Sequence, residues 1–533
     1  MQALNIFKSR NGRIYCGLIV LRVLFASVGL GYIHPDEYFQ NGEVTVGAVF
    51  KWHSLRTWEW DPVLPCRSIL PPFLTTGLPL AILSVLFSGN VSGRLVFLVE
   101  RLSTLVLSFL LVPFSRAKAL LLLASSHVVM TFQVRPFSNS IEACLVASAL
   151  AVLGNMLANK PDNHGAQIAS WLALILVVGI MTRITFPVFV LPVAIQVLLF
   201  SIRTSKASGH FTFNRWARFL AVPFCVGSAT LCGAIAMDSF YFSGGINKVV
   251  VTPYNNLVYN LSADNLAKHG LHPRWLHAVV NMPLIVGPAL VIYGALAARK
   301  VATQYQADKS RSPLSVINRT CIWIILLSVA VLSLQPHQEP RFLTPLVVPF
   351  IVLVVNNGYL ENASKIFWAT WFVGNAVLSV VFGVLHQGAV VPSLLHLNNL
   401  ISANNSSGDY AVVYWKTYMP PWHLLGIPEN QIITGHASVA DLAGKPSSDV
   451  EDYLISLRGQ HPEGTTLYLV APEFAMQSLE QPIAKCFRID RQIYPHIDLD
   501  HISESIETGW PGGVCLGVYV ADLDCVASSI PLW

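Results

Sequence analysis

Apolar residues are gathered into long runs along the first 385 positions of the chain, and short polar stretches separate these runs. The first run covers residues 14–33, which is long enough to cross a bilayer as a helix. Further runs cover residues 69–88, 95–113, 117–132, 140–157, 168–200, 217–240, 281–298, 320–335, 344–356 and 367–385. The pattern predicts a polytopic α-helical membrane protein with about 10–12 transmembrane helices in residues 1–385.

The run at residues 168–200 is too long for a single span. It is interrupted by Thr182-Arg-Ile-Thr-Phe-Pro187, and a proline cannot continue a helix without disturbing the preceding turn. The sequence therefore predicts either two short helices or one kinked pair in this region.

Residues 386–533 follow a different pattern, in which charged and polar residues are frequent. Short alternating runs at Tyr410–Tyr414, Thr466–Val470 and Gly513–Val520 predict β-strands, and Gly and Pro separate them. We therefore expect a C-terminal α/β domain at 386–533, following a transmembrane domain at 1–385.

Composition supports the membrane interpretation, since 53% of the 533 residues are hydrophobic and only 12% are charged. The net charge of +5 is modest, and its basic residues cluster in short loops, which indicates membrane orientation rather than nucleic-acid binding. Loops 200–218 and 299–311 are basic and are predicted to be cytosolic. Residues 34–68, 241–280, 335–343 and the C-terminal domain are then luminal, and one segment between 69 and 200 must be re-entrant, interfacial or fused to satisfy the parity.

The sequence shows neither a GxxxxGK[ST] nucleotide loop nor a Cys/His cluster with metal spacing, so we expect no metal and no cofactor. Three of the nine cysteines, Cys486, Cys515 and Cys525, lie in the C-terminal domain. A disulfide there and three unpaired thiols are both compatible with the sequence.

The first polar motif is His34-Pro-Asp-Glu-Tyr-Phe-Gln40, which stands where the first apolar run ends. Acidic residues at membrane depth are rare and tend to mark function, and Pro35 fixes the exit of the chain from the helix. Asp36 and Glu37 are therefore candidate catalytic carboxylates. A solvated loop with an acidic cap is the alternative interpretation.

The second and third motifs are polar breaks between apolar runs. Arg135 and Ser138-Asn-Ser-Ile-Glu142 form the second, and helix capping explains part of it but not the presence of Arg135 beside Asn139. The third combines Asp238 with Pro253-Tyr-Asn-Asn-Leu-Val-Tyr-Asn260. Amides and aromatic faces suit hydroxyl-rich ligands, although an interfacial aromatic belt explains the same composition.

The fourth motif, His337-Gln-Glu-Pro-Arg341, lies between two runs with almost no room for a loop. A guanidinium binds phosphate oxygens through two parallel N–H groups, and a histidine adds another donor. A structural ion pair between Glu339 and Arg341 is the competing interpretation. Acids in one luminal loop and cations in another favour a transfer reaction on a phosphate-linked donor, with a carboxylate as base.

Three of these motifs, His34–Gln40, Arg135–Glu142 and His337–Leu343, resemble the signatures of the multi-spanning GT-C mannosyltransferases. The resemblance extends over residues 14–425. Within that group, the Gln-Glu-Pro form of the fourth motif, the run Pro253–Asn260, His386-Gln-Gly and Tyr418-Met-Pro-Pro421 resemble the enzymes that extend GPI-anchor precursors. The family pattern has Ser-Pro-Glu after Gln40 where this chain has Asn41-Gly-Glu43, so the glutamate is kept but the preceding turn differs.

The resemblance implies a GT-C type bundle that transfers mannose, with inversion, from dolichyl-phosphate mannose in the lumen of the endoplasmic reticulum. The implied acceptor is the third mannose of a GPI-anchor precursor, which gains an α-1,2-linked fourth mannose. Other acceptors used within the family, an earlier GPI mannose or the N-glycan precursor, remain alternatives. A lipid or sugar transporter is the alternative from another class, but it predicts inverted repeats and charges at mid-bilayer depth, whereas no repeat is found and the charges lie at one face.

The expected partners are the donor lipid, the GPI-lipid acceptor and the membrane of the endoplasmic reticulum, and we expect a monomeric or weakly associated protein. Asp36 is the expected base, with Glu37 second. The expected ligands of the donor phosphate are His337, Arg341 and Arg135. The expected substrate-binding residues are His34, Gln40, Glu43, Asn139, Asp238, Tyr254, Asn255, Asn256, Gln338 and Glu339.

Overall fold

A computed structural model describes residues 9–111, 117–158, 164–207, 210–262, 264–265, 270–307, 312–403 and 408–529. Parts of the loops predicted at 241–280 and 299–311 lie outside these residues.

Within the described residues, seven helices are long and apolar enough to cross a membrane, and the number rises to nine if each of two bent pairs is one span. The seven are Arg10–Val28, Ser138–Ala158, Gly165–Thr182, Phe186–Thr204, Phe213–Ser243, Pro313–Leu334 and Lys365–Leu385. The bent pairs are Ala117–Ala124 with His127–Val134 and His277–Val286 with Pro288–Gln304, and shorter apolar helices cover Leu70–Leu86 and Pro340–Asn356. The predicted polytopic helical architecture is confirmed.

Two interruptions in the apolar pattern have clear structural counterparts. The long run at 168–200 forms two helices that separate at residues 183–185, with Pro187 in the first turn of the second helix, where its missing N–H costs nothing. The pair Ala117–Ala124 and His127–Val134 bends by 63°, which makes it a broken span or a re-entrant loop. A segment of this kind is what the orientation of the basic loops requires between residues 69 and 200.

The other elements are shorter. The remaining helices are Asp36–Phe39, Gly42–Phe50, Trp58–Trp60, Gly93–Leu107, Ser108–Leu111, Thr252–Leu261, Val390–Ala403, Trp422–Leu425, Glu429–Ile433, Ser447–Ser456, Leu457–Gly459, Glu473–Met476, Gln481–Ala484, Ile502–Thr508, Gly512–Val514 and Leu523–Ser528. A two-residue hairpin pairs Lys206–Ala207 with His210–Phe211.

The chain divides into two compact units. The first contains Met1–Val23, Thr57–Leu74 and Thr104–Val377, and the second contains Leu24–Arg56, Thr75–Ser103 and Leu378–Trp533. The segment that carries Asp36 therefore clusters with the C-terminal residues, whereas the motifs at Arg135 and His337 belong to the first unit.

The C-terminal part of the second unit is built on a five-stranded sheet, in the order β2-β1-β3-β5-β4. Its strands are β1 Tyr410–Tyr414, β2 Ala437–Asp441, β3 Thr466–Pro472, β4 Arg488–Ile493 and β5 Leu516–Asp522. Strand β1 is parallel to β2 and β3, whereas β5 is antiparallel to β3 and β4. The α/β domain and its three predicted strands are confirmed, and the last strand begins at Leu516 rather than at Gly513.

The interior strand β1 is buried on both faces, as expected where helices cover both sides of parallel strands. On one face, Val412 packs in a cluster that contains Leu394 and Leu397 from the helix Val390–Ala403. On the other face, Val413 packs with Leu454 in a second cluster. The domain is therefore a three-layered arrangement with one hydrophobic core on each side of the sheet.

A disulfide joins Cys486 and Cys525, whose Cα atoms are 5.8 Å apart, while Cys515 is a buried free thiol. Of the two possibilities left open by the sequence, the structure has the disulfide.

Candidate active site

A close backbone approach sets the position of the acidic loop in the second unit. The Gly31 N–H donates to the Gly383 carbonyl at 2.9 Å, and the Tyr32 N–H donates to the His386 carbonyl at 2.8 Å. A Cβ atom at Gly31 would lie 2.5 Å from the carbonyl oxygen of Phe382, so a glycine is needed for the two segments to meet.

Asp36 opens the short helix Asp36–Phe39, directly after Pro35, and its carboxylate is 24% exposed. The Gln40 side-chain amide donates to one Asp36 carboxylate oxygen at 2.5 Å. The Nδ1 atom of His34 lies 3.5 Å from the other oxygen and accepts a hydrogen bond from the Asp36 N–H at 3.1 Å. The structure thus brings His34, Asp36 and Gln40 together around a carboxylate that solvent can reach.

Glu37 has a different environment from its neighbour, since its side chain is fully buried. It forms an ion pair with Arg101 of the helix Gly93–Leu107, and that guanidinium also donates to the Tyr38 hydroxyl at 3.1 Å. The Arg101 guanidinium stacks over the Phe97 ring, with 4.8 Å between its central carbon and the ring centroid. Glu37 therefore holds the short helix in place through its ion pair with Arg101.

Glu43 is also fully buried and lies beside His423. One Glu43 oxygen lies 3.2 Å from the ring Nδ1 of His423 and also accepts a hydrogen bond from the His423 backbone N–H at 3.2 Å. The other Glu43 oxygen accepts from the Leu55 backbone N–H at 3.0 Å. The Nε2 atom of His423 is 3.2 Å from Glu100. Burial opposes protonation of this imidazole, but the carboxylates of Glu100 and Glu43 outweigh it and raise the pKa of His423 to about 10.

In the first unit, the break between two spans contributes a cation that packs against the second motif. Arg183 Nε lies 3.2 Å from the Glu142 carboxylate, and its Nη1 donates to the Asn139 amide oxygen at 3.4 Å. Thr185 donates to Glu142 at 2.9 Å. Arg135 lies between the helical turn Phe132–Val134 and the helix Ser138–Ala158, where it is fully buried and donates to the Thr131 carbonyl at 2.7 Å.

The fourth motif folds around the carboxylate of Glu339. His337 Nε2 lies 2.7 Å from one Glu339 oxygen, and Arg341 pairs with both oxygens, including a 2.9 Å hydrogen bond from Nη2. The structural ion pair considered from the sequence is therefore present. Gln338 is almost fully buried and accepts from the His277 N–H at 2.9 Å, so its amide joins two segments of the unit.

Phe342 connects the fourth motif to the second. The guanidinium carbon of Arg183 lies 5.1 Å from the Phe342 ring centroid, and that of Arg341 lies 5.4 Å from it. The His337 ring meets the same ring edge-on at 5.7 Å. Two arginines and a histidine thus gather around one aromatic ring, where the flat guanidinium faces stack favourably.

The third motif is arranged differently. The buried Asp238 carboxylate accepts three hydrogen bonds, from Ser68 Oγ and Ile69 N at 2.9 Å and from Thr252 Oγ1 at 2.8 Å. This carboxylate therefore clamps a loop and a helix start to the end of the helix Phe213–Ser243.

The amides and the tyrosine that follow Asp238 lie on the helix Thr252–Leu261. Asn255 donates to the Pro65 carbonyl at 2.9 Å, and Asn256 accepts from the Asn260 amide at 2.8 Å. Tyr254 is 65% exposed, and the ring of Tyr259 stacks on Trp58 with 4.0 Å between centroids. Exposed aromatic surface is available on this helix, while Asn255 serves to attach it to the loop before it.

Four charged residues that sequence reasoning left out pair with residues of the motifs. Arg183 does so in the first unit, and Glu100, Arg101 and His423 do so in the second. Glu100 and Arg101 are an adjacent charged pair inside the apolar run 95–113, and such residues are functional candidates by default. Arg183 stands in a break that the sequence did reveal. Nothing local marks His423, because its partners lie more than 300 positions away in the chain.

Among the described residues, no group of three or more His, Cys, Asp or Glu side chains is arranged to hold a metal ion.

These features define a multi-spanning membrane protein with an accessible carboxylate braced by buried ion pairs. Residues 13–425 match the model of the Alg9-like mannosyltransferase family, and the chain belongs to that family. It is therefore a glycosyltransferase, and the predicted enzyme class and family are confirmed.

Relatives with high similarity extend over most of the chain. The chain is 35% identical over 507 residues to "GPI mannosyltransferase 4" of Emericella nidulans, covering 89% of this chain and 85% of that protein. It is 31% identical over 533 residues to "GPI alpha-1,2-mannosyltransferase 4" of Homo sapiens, covering 91% of this chain and 89% of that protein. Among solved structures, ArnT from Cupriavidus metallidurans bound to undecaprenyl phosphate is 11% identical, with a TM-score of 0.48 over 98% of this chain and 100% of that chain.

Proposed function

We propose that the protein transfers mannose from dolichyl-phosphate mannose to the third mannose of a GPI-anchor precursor, forming an α-1,2 linkage. The printed names of the fungal and human relatives supply the GPI acceptor, and the human name also states the linkage. The structural observation that supports a transfer reaction is that three acids close together in the sequence have different environments. Glu37 and Glu43 are buried and paired, whereas Asp36 is exposed to 24%.

Asp36 is the proposed general base. Its carboxylate takes the proton of the acceptor hydroxyl while the hydroxyl oxygen attacks the anomeric carbon of the donor mannose. The bond from that carbon to the phosphate oxygen breaks, the lipid phosphate leaves with its electron pair, and a β-linked donor yields an α-mannoside. The reaction uses the donor lipid and no additional cofactor. Gln40 and His34 keep the Asp36 carboxylate oriented.

The proposed ligands of the donor phosphate are His337 and Arg341, with Arg135 assisting. Glu339 already holds both side chains, so the charge of Arg341 is partly compensated before any phosphate arrives. Cations fixed in advance stabilise a departing phosphate without reorganisation during the reaction. Stacking on Phe342 keeps the guanidinium of Arg341 in one orientation.

The first prediction separates Asp36 from Glu37. Asp36→Asn keeps the size of the side chain and removes its basicity, so transfer should fall by about 10²-fold or more with normal expression. Glu37→Gln leaves the buried Arg101 uncompensated, which costs about 3–5 kcal/mol, so this variant should chiefly reduce the amount of folded protein. Mannose transfer per folded molecule measures both effects, and near-normal turnover by Asp36→Asn would refute the proposed base.

A second prediction concerns Arg341. Arg341→Lys keeps the positive charge but loses the two-pronged geometry, so the KM for the donor should rise or kcat should fall, while the acceptor KM stays unchanged. Lys118 is a suitable control site, because Lys118→Arg changes a cation that binds the carbonyls of residues 360 and 361. Unaltered donor kinetics in Arg341→Ala would show that the pair with Glu339 is purely structural.

We place the acidic loop and the C-terminal domain in the lumen of the endoplasmic reticulum. The positive loops at 200–218 and 299–311 support this orientation. The disulfide between Cys486 and Cys525 supports it independently, since disulfides persist in oxidising compartments.

The orientation predicts that protease added to sealed microsomes leaves the C-terminal domain intact, and that detergent makes it digestible. Non-reducing electrophoresis should detect the disulfide in the wild type and not in Cys525→Ser, with Cys225→Ser as a control at an exposed free cysteine. Digestion of the domain in sealed microsomes would reverse the orientation.

The acceptor is tested in cells that lack the protein. They should accumulate a GPI lipid with three mannoses, because the next transfer fails, while N-glycan precursors keep their full length. Lipid extraction and mass measurement distinguish these species. A two-mannose GPI lipid, or a shortened dolichol-linked oligosaccharide, would assign the enzyme to one of the other acceptors of its family.

A further inference from the structure

Two neighbouring residues on the helix Gly93–Leu107 hold two different parts of the acidic loop. Successive residues of an α-helix point about 100° apart, so Glu100 and Arg101 leave the helix in different directions. Arg101 reaches Glu37 and Tyr38 on the helix Asp36–Phe39. Glu100 instead reaches His423.

His423 completes the second attachment. Its ring lies between Glu100 and Glu43, at 3.2 Å from each, and Glu43 belongs to the helix Gly42–Phe50 that follows the acidic loop. Gly42 approaches Glu100 so closely that a Cβ atom there would collide with the carboxylate. One helix therefore holds both ends of segment 36–43, directly through Arg101 and through the imidazole of His423.

The two carboxylates beside His423 favour its protonated, cationic form. The groups that face its ring are the carboxylates of Glu43 and Glu100 and the ring of Tyr38, whose centroid is 6.0 Å away. The side chains of His423, Glu43 and Glu100 form the His423 cluster, and each is at most 1% exposed. Buried carboxylates are tolerated when a cation compensates them, so an imidazolium here binds two otherwise repelling segments.

We infer that His423 is a positioning residue for the transfer reaction, because its imidazolium bridges Glu43 and Glu100 and thereby fixes the segment that carries Asp36. This inference rests on the proposed role of Asp36 as base. In this inference, His423 acts on the position of Asp36 and does not itself contact substrate, although it lies 387 positions further along the chain. The family match ends at residue 425, so it still includes this bridge.

The test compares kcat per folded molecule in His423→Gln, Glu100→Gln and the double variant. His423→Gln leaves two buried carboxylates without their cation, so kcat should fall by about 10- to 100-fold through misplacement of Asp36, with the donor KM unchanged. The double variant removes one carboxylate as well, so its kcat should lie above that of His423→Gln and below that of Glu100→Gln. His436→Gln is the matched control, since it alters an exposed histidine that also pairs with an aspartate, Asp409.

A readout independent of activity is the dependence of thermal stability on pH. The folded pKa of about 10 lies above the ordinary 6.5, so the contribution of His423 to stability is complete below pH 6.5 and is lost as the pH rises through about 10. The melting temperature of the wild type should fall across this window, and that of His423→Gln should fall less.

The outcomes separate the two proposals. If the wild type transfers mannose and Asp36→Asn does not, but His423→Gln has normal kcat per folded molecule, the bridge is structural only and this inference fails alone. If Asp36→Asn remains active, the proposed base is wrong, and the inference that depends on it fails as well. Should His423→Gln not fold, equal kcat values for the double variant and Glu100→Gln would overturn the inference.

Discussion

The adjacent pair Glu100 and Arg101 is the constraint on which the candidate site depends. Both side chains are buried, and an uncompensated buried charge costs several kcal/mol, so each must find a partner when the chain folds. The partners are Glu37 on one side and His423 with Glu43 on the other. The segment that carries Asp36 is thus defined electrostatically at both ends.

This arrangement explains how a short segment can hold the carboxylate that we propose as the base. Turnover is sensitive to displacements of about 1 Å, and a loop of polar residues alone does not supply that precision. Here the rigid helix Gly93–Leu107 supplies it, and the approach of Gly31 to the backbone near Phe382 fixes where the segment begins. Asp36 can remain accessible because the buried ion pairs of Glu37 and Glu43 hold the segment in place.

Much of the fold could be predicted from local pattern. The spans follow from runs of apolar residues, and β1, β3 and β5 from alternation in well-buried strands. Strand β4 was missed because five of its six residues are exposed and its sequence is Arg488-Ile-Asp-Arg-Gln-Ile493, which shows no hydrophobic alternation. The helix Val390–Ala403 was not predicted, because its 14 residues are too few for a membrane span and they follow the end of the last long apolar run.

The site was predictable in its motifs but not in its pairings. Sequence identifies Asp36, Glu37 and Glu43 as a set of acids. The buried pairings that distinguish Glu37 and Glu43 come from partners 64 and 380 positions away, which no local spacing encodes.

Glu339 and Arg341 are the exception, because they are close in sequence and their proximity did predict the pair. A guanidinium that is already paired keeps one orientation and is only weakly hydrated, so a lipid phosphate would exchange for an existing carboxylate contact rather than order a flexible cation. The ion pair with Glu339 is therefore compatible with the proposed role of Arg341 as a ligand of the donor phosphate.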